Sequence, residues 1–452
     1  MTGLAKLELL QLARSRVLWP LLGMIVALGL IAAASGAHRV ARERAALDAR
    51  EAFLQDQEHN LRESHADDLG LFMYYLALPT EHAPNAWTAL SSGLRDVFPF
   101  SQHLRVLGLA PQLHTSELSN PLQQATGSLD YAFVVTFLLP LLVIALCHDV
   151  SSRDEELGTA LLLRSHPLRM RRLVALRLGL RGAIVLLTAA LMFAGAAWQA
   201  GVPPDGRALA WLAIQSAYLM FWIALAWLVA ALGRSSGWNA IVLTSAWIVL
   251  CVLLPAAASS ISTEQPLEHG VAFTLKQREL LNAGWDKPRQ AAVDAYAARH
   301  LEQRGVSVPE DRFSWLWYYA NQELADRAVE QELQAYDAAL ARRESHAHQL
   351  AWWLPPLATQ RALNRFAGTD MPARLDYQHS VVAYHEQLKE FFYPLVWAEK
   401  RVADISLAAL PRHSFRPEPT APDWSELTGL CAWLAVLLAI GIFWKGRRPS
   451  LL

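Results

Sequence analysis

Cysteine is scarce: three in 452 residues, at Cys147, Cys251 and Cys431. All three fall in or at the ends of apolar runs, so the polar parts of the chain have no disulfide and must fold on apolar burial alone. No G-x-x-x-x-G-K-[ST] loop occurs, which excludes cradling of nucleotide phosphates in that manner. There is no basic run, and the formal net charge is −1, so nothing points to nucleic acid as a partner. His385 and Glu386 begin an H-E-x-x-H pattern, but Lys389 stands where the second histidine is needed. His346 and His348 are two residues apart, which on a helix turns them about 200° from one another and makes no ligand pair. No nucleophile, metal or acid pair has usable spacing, so neither enzyme activity nor a metal is expected. Internal repeats and low-complexity tracts are absent from the sequence.

Long apolar runs are present. Six of them, at 17–37, 129–147, 183–200, 208–232, 238–259 and 427–444, are each about long enough to cross a bilayer core as helix. With 53% hydrophobic but 18% charged residues, the chain is too polar to consist of such helices only. The polar material lies mainly in residues 38–128 and 260–424, segments too long for structureless loops. The expected fold is therefore a membrane all-α protein: six transmembrane helices with two mostly helical extracytoplasmic insertions. Between the second and third runs lies a charged hairpin, 148–182, with seven arginines against four acids. The excess of basic residues marks it as cytoplasmic. Alternating sides from there puts both termini inside, with 14 Lys or Arg near span ends on the inner side against roughly 7 outside. Arg39, Arg42, Arg44 and Arg50 dissent, but long segments translocate with little regard to charge. No small-residue cleavage site follows the first run, so it reads as an anchor rather than a removable signal.

Local patterns refine this. Val40, Leu47, Leu54 and Leu61 recur every seven residues without Pro or Gly between them, which predicts that the first span continues outward as one long helix packed on a neighbour. Val381, Tyr384, Leu388, Phe391 and Leu395 follow helical spacing, and Pro355, Pro356 and Gly368 punctuate the stretch before them. In the hairpin, Ser152 and Glu155 fit a capping box, and Asp154, Glu155 and Glu156 occupy the first turn, where the helix dipole favours acids. That helix is predicted to run to about Arg164, with Pro167 separating it from a second helix that carries Arg169, Arg171 and Arg172.

The segment 120–178 resembles ABC-2 type transporter permeases, whose first cytoplasmic loop carries Glu, then Gly-Thr, a Leu run, Pro and a basic residue. The matching positions are Glu155 or Glu156, Gly158, Thr159, Leu161 to Leu163, Pro167 and Arg169. Asn120-Pro121, Gly127 and Asp130, together with LPPLATQRALNRFAGTD at 354–370, resemble the subgroup with large periplasmic insertions of unknown function. LAKLELLQLARSRVLWP at 4–20 is similar to the interfacial elbow helix of that family. Arg177 stands where the family often has Lys, and either residue can anchor at headgroups.

The resemblance implies a permease half in the bacterial inner membrane, most simply an exporter. Its domains would be an elbow helix and first span (1–37), periplasmic domain 1 (38–128), spans two to five with the coupling hairpin (129–259), periplasmic domain 2 (260–424), and a sixth span with cytoplasmic tail (425–452). Its partners would be a second permease subunit, the lipid bilayer, a cytoplasmic ABC ATPase that uses ATP and Mg, and, from the size of the insertions, a periplasmic or outer-membrane protein. The chain itself would hold no cofactor. Asp154, Glu155, Glu156, Gly158, Thr159, Pro167, Arg169 and Arg172 are the expected ATPase-docking residues, the two arginines pairing with the ATPase or with lipid phosphates. Asp130, Gln215, Ser216, Asn239, Thr244 and Ser245 are candidates for a translocation path, against the plainer roles of helix start and helix pairing. Phe313, Trp315, Trp317, Tyr318, Tyr319, Trp352 and Trp353 would line a ligand path or, more plainly, form a core or an interfacial belt. The alternative function is a mechanotransmitter or scaffold that regulates a periplasmic partner without moving solute.

Overall fold

The computed structural model describes residues 2–98, 101–113, 129–159, 170–261, 266–416 and 424–445. It is a nearly all-helical protein whose single sheet among these residues is the two-stranded antiparallel pair Leu78–Pro79 and His103–Leu104. Five helices are long and apolar enough to cross a membrane: Leu18–Ser64, Arg172–Ala200, Gly206–Ala230, Ser236–Ala258 and Trp424–Gly441. A sixth apolar helix, Tyr131–Cys147, is shorter. Large apolar side chains on these helices are exposed, among them Ile31, Leu191, Trp198, Leu209 and Ile241. An apolar exterior of this extent is what a lipid solvent demands and water forbids. The chain is a multi-pass, all-α membrane protein.

The short helix shows how sequence sets local geometry. Asp130 caps it, its Oδ1 accepting the Phe133 amide at 2.7 Å. Pro140 has no N–H, which removes the donor that the carbonyl of Thr136 would otherwise meet one turn earlier. The chain answers with a π-turn over Val134–Leu138 and with donors from neighbouring helices: Tyr218 Oη to the Thr136 carbonyl at 2.7 Å and Trp247 Nε1 to the Phe137 carbonyl at 3.0 Å. Trp211, Trp222, Tyr131 and Tyr218 fill the centre of the bundle.

The first long helix continues without interruption from Leu18 to Ser64, about 70 Å at the standard rise. Its N-terminal half joins the bundle through Ile25, Ala32 and Ala33, and its C-terminal half packs on the polar domain through Leu54 and Leu61. Gly36 lies against the backbone of Ala89, where an added Cβ would collide with the carbonyl. The two polar insertions, separate in sequence, share one hydrophobic core. Phe72, Met73 and Leu104 from the first pack with Phe273, Trp317, Tyr319, Tyr377 and Leu388 from the second. Trp317 and Tyr319 are thus core residues, whereas Trp353 is exposed and Trp352 half-exposed, the latter with its carbonyl held by Trp433 Nε1 at 2.9 Å.

One helix belongs to both halves. Pro355–Ala367 starts with two prolines in its first turn and ends on Gly368 in the left-handed conformation. Ala358, Ala362, Leu363 and Phe366 enter the bundle core, with Phe366 beside Trp87 and Trp211 at 6.0 and 5.9 Å between centroids. Its last carbonyls are all claimed: Ala367 by Asn85 Nδ2 at 3.0 Å and Thr88 Oγ1 at 3.1 Å, Phe366 by Arg207 Nη2 at 2.7 Å. The polar domain is fastened to the bundle here.

Candidate functional site

At the end of the bundle away from the polar domain, four helical segments meet in a buried ionic junction. The N-terminal helix Thr2–Ala13 is turned so that Leu7, Leu9 and Leu10 are exposed while Glu8 and Leu12 are buried. Its exposed surface is mixed, with Lys6 and Gln11 beside the three leucines, while the acid faces inward. Glu8 meets two arginines one turn apart on the helix Met170–Ala200: Arg177 Nε donates to Glu8 Oε2 at 3.1 Å, and Arg181 Nη2 lies 3.6 Å from Oε1. Arg177 also bonds both carboxylate oxygens of Asp154, its Nη2 donating to Oδ1 at 3.2 Å and its Nη1 to Oδ2. Arg181 donates to Asp149 and, at 2.5 Å, to the carbonyl of Leu146. Arg177 is 8% exposed, Asp154 7% and Glu8 6%. Charges this buried are tolerable only because each has charge-assisted partners, with Asp154 gripped in the two-point fashion of a guanidinium fork.

A small exposed turn hangs from this junction. The hairpin helix is one turn long, Arg153–Glu156, and does not reach Arg164. Gly158 adopts a positive φ of 70°, a conformation that costs glycine nothing and ends the helix. Ser152 occupies the N-cap but its side chain makes no cap bond; its backbone is helical (φ −88°, ψ −23°) rather than extended, so the expected reciprocal box does not form. Asp154 points inward, as above. Glu156 accepts from the Ser236 amide at 2.6 Å and from Ser236 Oγ at 2.9 Å, and so caps the helix Ser236–Ile248 across the bundle. Glu155, Leu157, Gly158 and Thr159 are exposed. Thr159 Oγ1 donates back to the Asp154 carbonyl at 3.3 Å. Arg172 is exposed at the same end. Pro167 and Arg169 lie outside the described residues. Arg177, expected at headgroups, is instead the centre of the junction.

The residues considered for a translocation path are placed apart. Asp130 is buried near the polar domain, where its Oδ2 accepts from the Ser92 amide at 2.8 Å and Ser92 Oγ at 3.0 Å. Gln215 pairs helices, accepting from Tyr131 Oη at 3.1 Å and donating to the Ala189 carbonyl at 3.0 Å. Asn239 donates to the His148 carbonyl at 3.0 Å. Ser216 is half-buried, while Thr244 and Ser245 lie on the exposed side of Ser236–Ala258, the candidate span with the smallest buried share.

The polar domain holds a second charged cluster. Lys389 reaches Glu323 at 2.5 Å, Glu386 at 2.6 Å and Asp326 at 3.9 Å. Burial pushes Asp326 up to about 7 in spite of Lys389, whereas for Glu323 burial is outweighed by Lys389 and Arg327, which hold it below the usual carboxylate range. His385 is buried, pushed down to about 3 by desolvation and by Lys389, so its 4.0 Å approach to Asp326 is not an ion pair. Its Nε2 is 2.8 Å from the Leu107 carbonyl. The broken H-E-x-x-H pattern is thus part of a helix-packing network.

Sequence reasoning missed Glu8, Asp149 and Arg181. The available signal was Arg177 and Arg181, four apart within the apolar part of the helix Met170–Ala200, since charges in such a stretch face partners rather than lipid. Residues 270–416, about a third of the chain, match the family described as a domain of unknown function, DUF3526. That segment includes the Lys389 cluster and the Pro355–Ala367 fastening helix. No curated protein and no solved structure matches the chain.

Proposed function

We propose that this chain is the permease subunit of an ABC-2 type transporter in the bacterial inner membrane. The apolar helix Tyr131–Cys147 is its second span and Trp424–Lys445 its sixth, with both termini in the cytoplasm and the polar domain outside. A separate cytoplasmic ATPase, using ATP and Mg, supplies the energy. A second permease pairs along the open face of Ser236–Ala258 that carries Ile241, Thr244, Ser245 and Ile248. The observation that carries the reading is the exposed turn at 155–159 mounted on the buried junction. Force applied to that turn passes through Asp154 and Arg177 to the third span, through Glu8 to the N-terminal helix, and through Glu156 to the fifth span. The docking surface narrows to Glu155, Leu157, Gly158 and Thr159, while Asp154 anchors it from beneath and Glu156, exposed at its edge, anchors it to Ser236. Pro167 and Arg169 rest on the resemblance alone.

A mechanotransmitter is the second reading, favoured by the engagement of Gln215 and Asn239 in helix pairing rather than in a polar path. The test is co-purification, in nanodiscs, with the ATPase encoded beside this chain, comparing wild type with Glu155→Lys plus Leu157→Asp. Loss of the complex and of its ATP hydrolysis in the double variant supports the permease reading. Equal association of both proteins, or no association of either, defeats it. Solute movement driven by the intact complex then separates transport from mechanotransmission.

A further inference from the structure

A groove of about 450 Å³ opens between three apolar helices of this one chain. Its floor is the helix Met170–Ala200, which contributes Ala175, Gly179, Gly182 and Ala183; Ile223 and Trp227 form one wall and Leu438 the other. The glycines are the informative feature. A Cβ at Gly179 would meet nothing within 4 Å, and one at Gly182 only the Ile223 side chain, at 3.2 Å and beyond. Glycine is a poor helix former relative to alanine; Gly182 is accounted for by its close approach to Ile223, but at Gly179 no helix packing within the chain requires it. What Gly179 secures is the space. A pocket of this volume lies in the range that holds small ligands and cofactors, and every residue named on its surface is apolar.

Ala175, Gly179, Gly182 and Leu186 follow one another at spacings of four, three and four, and Arg172 precedes Ala175 by three, so all lie on one helix face. Arg172 is exposed and sits seven residues, about 10 Å, from Gly179 along the axis. Around the groove, Leu187, Leu191 and Met220 are exposed to the surrounding lipid. The occupant must therefore be apolar over most of its length and anionic at the end nearest the 148–159 segment.

We propose that the groove holds an acyl chain of one anionic glycerophospholipid whose phosphate is met by Arg172. This inference rests on the membrane architecture and not on the permease reading. The experiment is native mass spectrometry of the full-length protein titrated with phosphatidylglycerol or phosphatidylcholine. Wild type is expected to retain one phosphatidylglycerol in preference to phosphatidylcholine. Arg172→Gln reduces that preference about fivefold, the factor for one basic contact at an anionic surface, with the acyl site still occupied. Gly179→Phe fills the groove and removes the retained lipid of either kind, while Leu191→Phe, on a lipid-facing surface outside the groove, leaves retention unchanged. Inorganic phosphate does not compete. Equal retention of both lipids by wild type, retention unaffected by both Arg172→Gln and Gly179→Phe, or displacement by inorganic phosphate would each overturn the proposal. So would a dimer of this chain that Gly179→Phe dissociates with no lipid retained by wild type.

Discussion

Replacing Arg177 by Met removes the centre of the ionic junction with little change in side-chain volume. Two acids then lose their main partner: Asp154, which loses both of its guanidinium bonds, and Glu8, which loses a 3.1 Å bond. Both remain buried, at 7% and 6% exposure. Breaking a buried charge pair by deleting one member costs roughly 3–5 kcal/mol, because the survivor is left desolvated and unpaired. Glu8 retains Arg181 at 3.6 Å, which places the expected loss near the lower end, about 3 kcal/mol. Arg177→Lys keeps the charge but lacks the fork that serves Asp154 and Glu8 together, and is expected to cost about 1–2 kcal/mol. Replacing all three members, Arg177→Met with Asp154→Leu and Glu8→Leu, is expected to restore most of the stability, since an apolar substitute for a buried ion cluster is often neutral or better. The assay is equilibrium unfolding of the purified protein in mixed micelles. A loss below about 0.5 kcal/mol for Arg177→Met, the range of ordinary surface changes, would refute the reasoning. A triple variant no more stable than the single one would do the same.

Asp130→Ala removes a helix cap and both acceptor bonds to Ser92, and should cost about 1–3 kcal/mol in the same assay. Gly36→Ala drives a methyl group into the Ala89 carbonyl, with an expected cost of about 1–3 kcal/mol from forced backbone movement, read as a lowered unfolding midpoint. The polar domain should be acid-sensitive. His385 and His82 are held down at about 3, chiefly by burial, so between pH 6.5 and 3 the unfolded chain binds protons that the folded state refuses, and stability falls as pH falls through that window. Asp326, pushed up to about 7, acts in the opposite direction. Between about pH 4 and 7 the folded state binds its proton and the unfolded chain does not, so its contribution falls as pH rises. Asp326→Asn removes that opposing slope and should enlarge the stability gain between pH 5 and pH 8 by about 1–3 kcal/mol, measured by denaturant unfolding at the two pH values.

The periodic parts of the fold were readable in advance, and the parts made by long-range contact were not. Apolar run length located the five long helices, and the seven-residue row Val40, Leu47, Leu54 and Leu61 announced the continuous 47-residue helix. Pro355, Pro356 and Gly368 were legible only as punctuation; in the structure they bound the fastening helix, acting through local backbone constraints. That this helix enters the bundle core, or that Phe72 and Tyr319, 247 positions apart, share a core, follows from no local pattern. The hairpin shows a sharper limit. Its acids fit a helix start, yet Gly158 ends the helix within one turn, and where each acid turns depends on partners in two other helices. Asp154 turns inward to Arg177, Glu156 stays exposed but is held by Ser236, and Glu155, Leu157 and Thr159 share the surface with it. Charge pattern alone treated the three acids as equivalent; burial sets Asp154 apart, and the bonds to Ser236 set Glu156 apart.

The most direct test of the central claim is site-specific photo-crosslinking from position 157, with a photoreactive residue in place of Leu157, in nanodiscs that contain this chain and the neighbouring ATPase. Leu157 is 65% exposed at the tip of the turn. The account predicts a crosslink to the ATPase that Glu155→Lys weakens and that is absent when the same photoreactive residue replaces Asp154, whose side chain points into the junction. A crosslink from 154 as strong as that from 157, or none from 157 in a complex that still hydrolyses ATP, would contradict it.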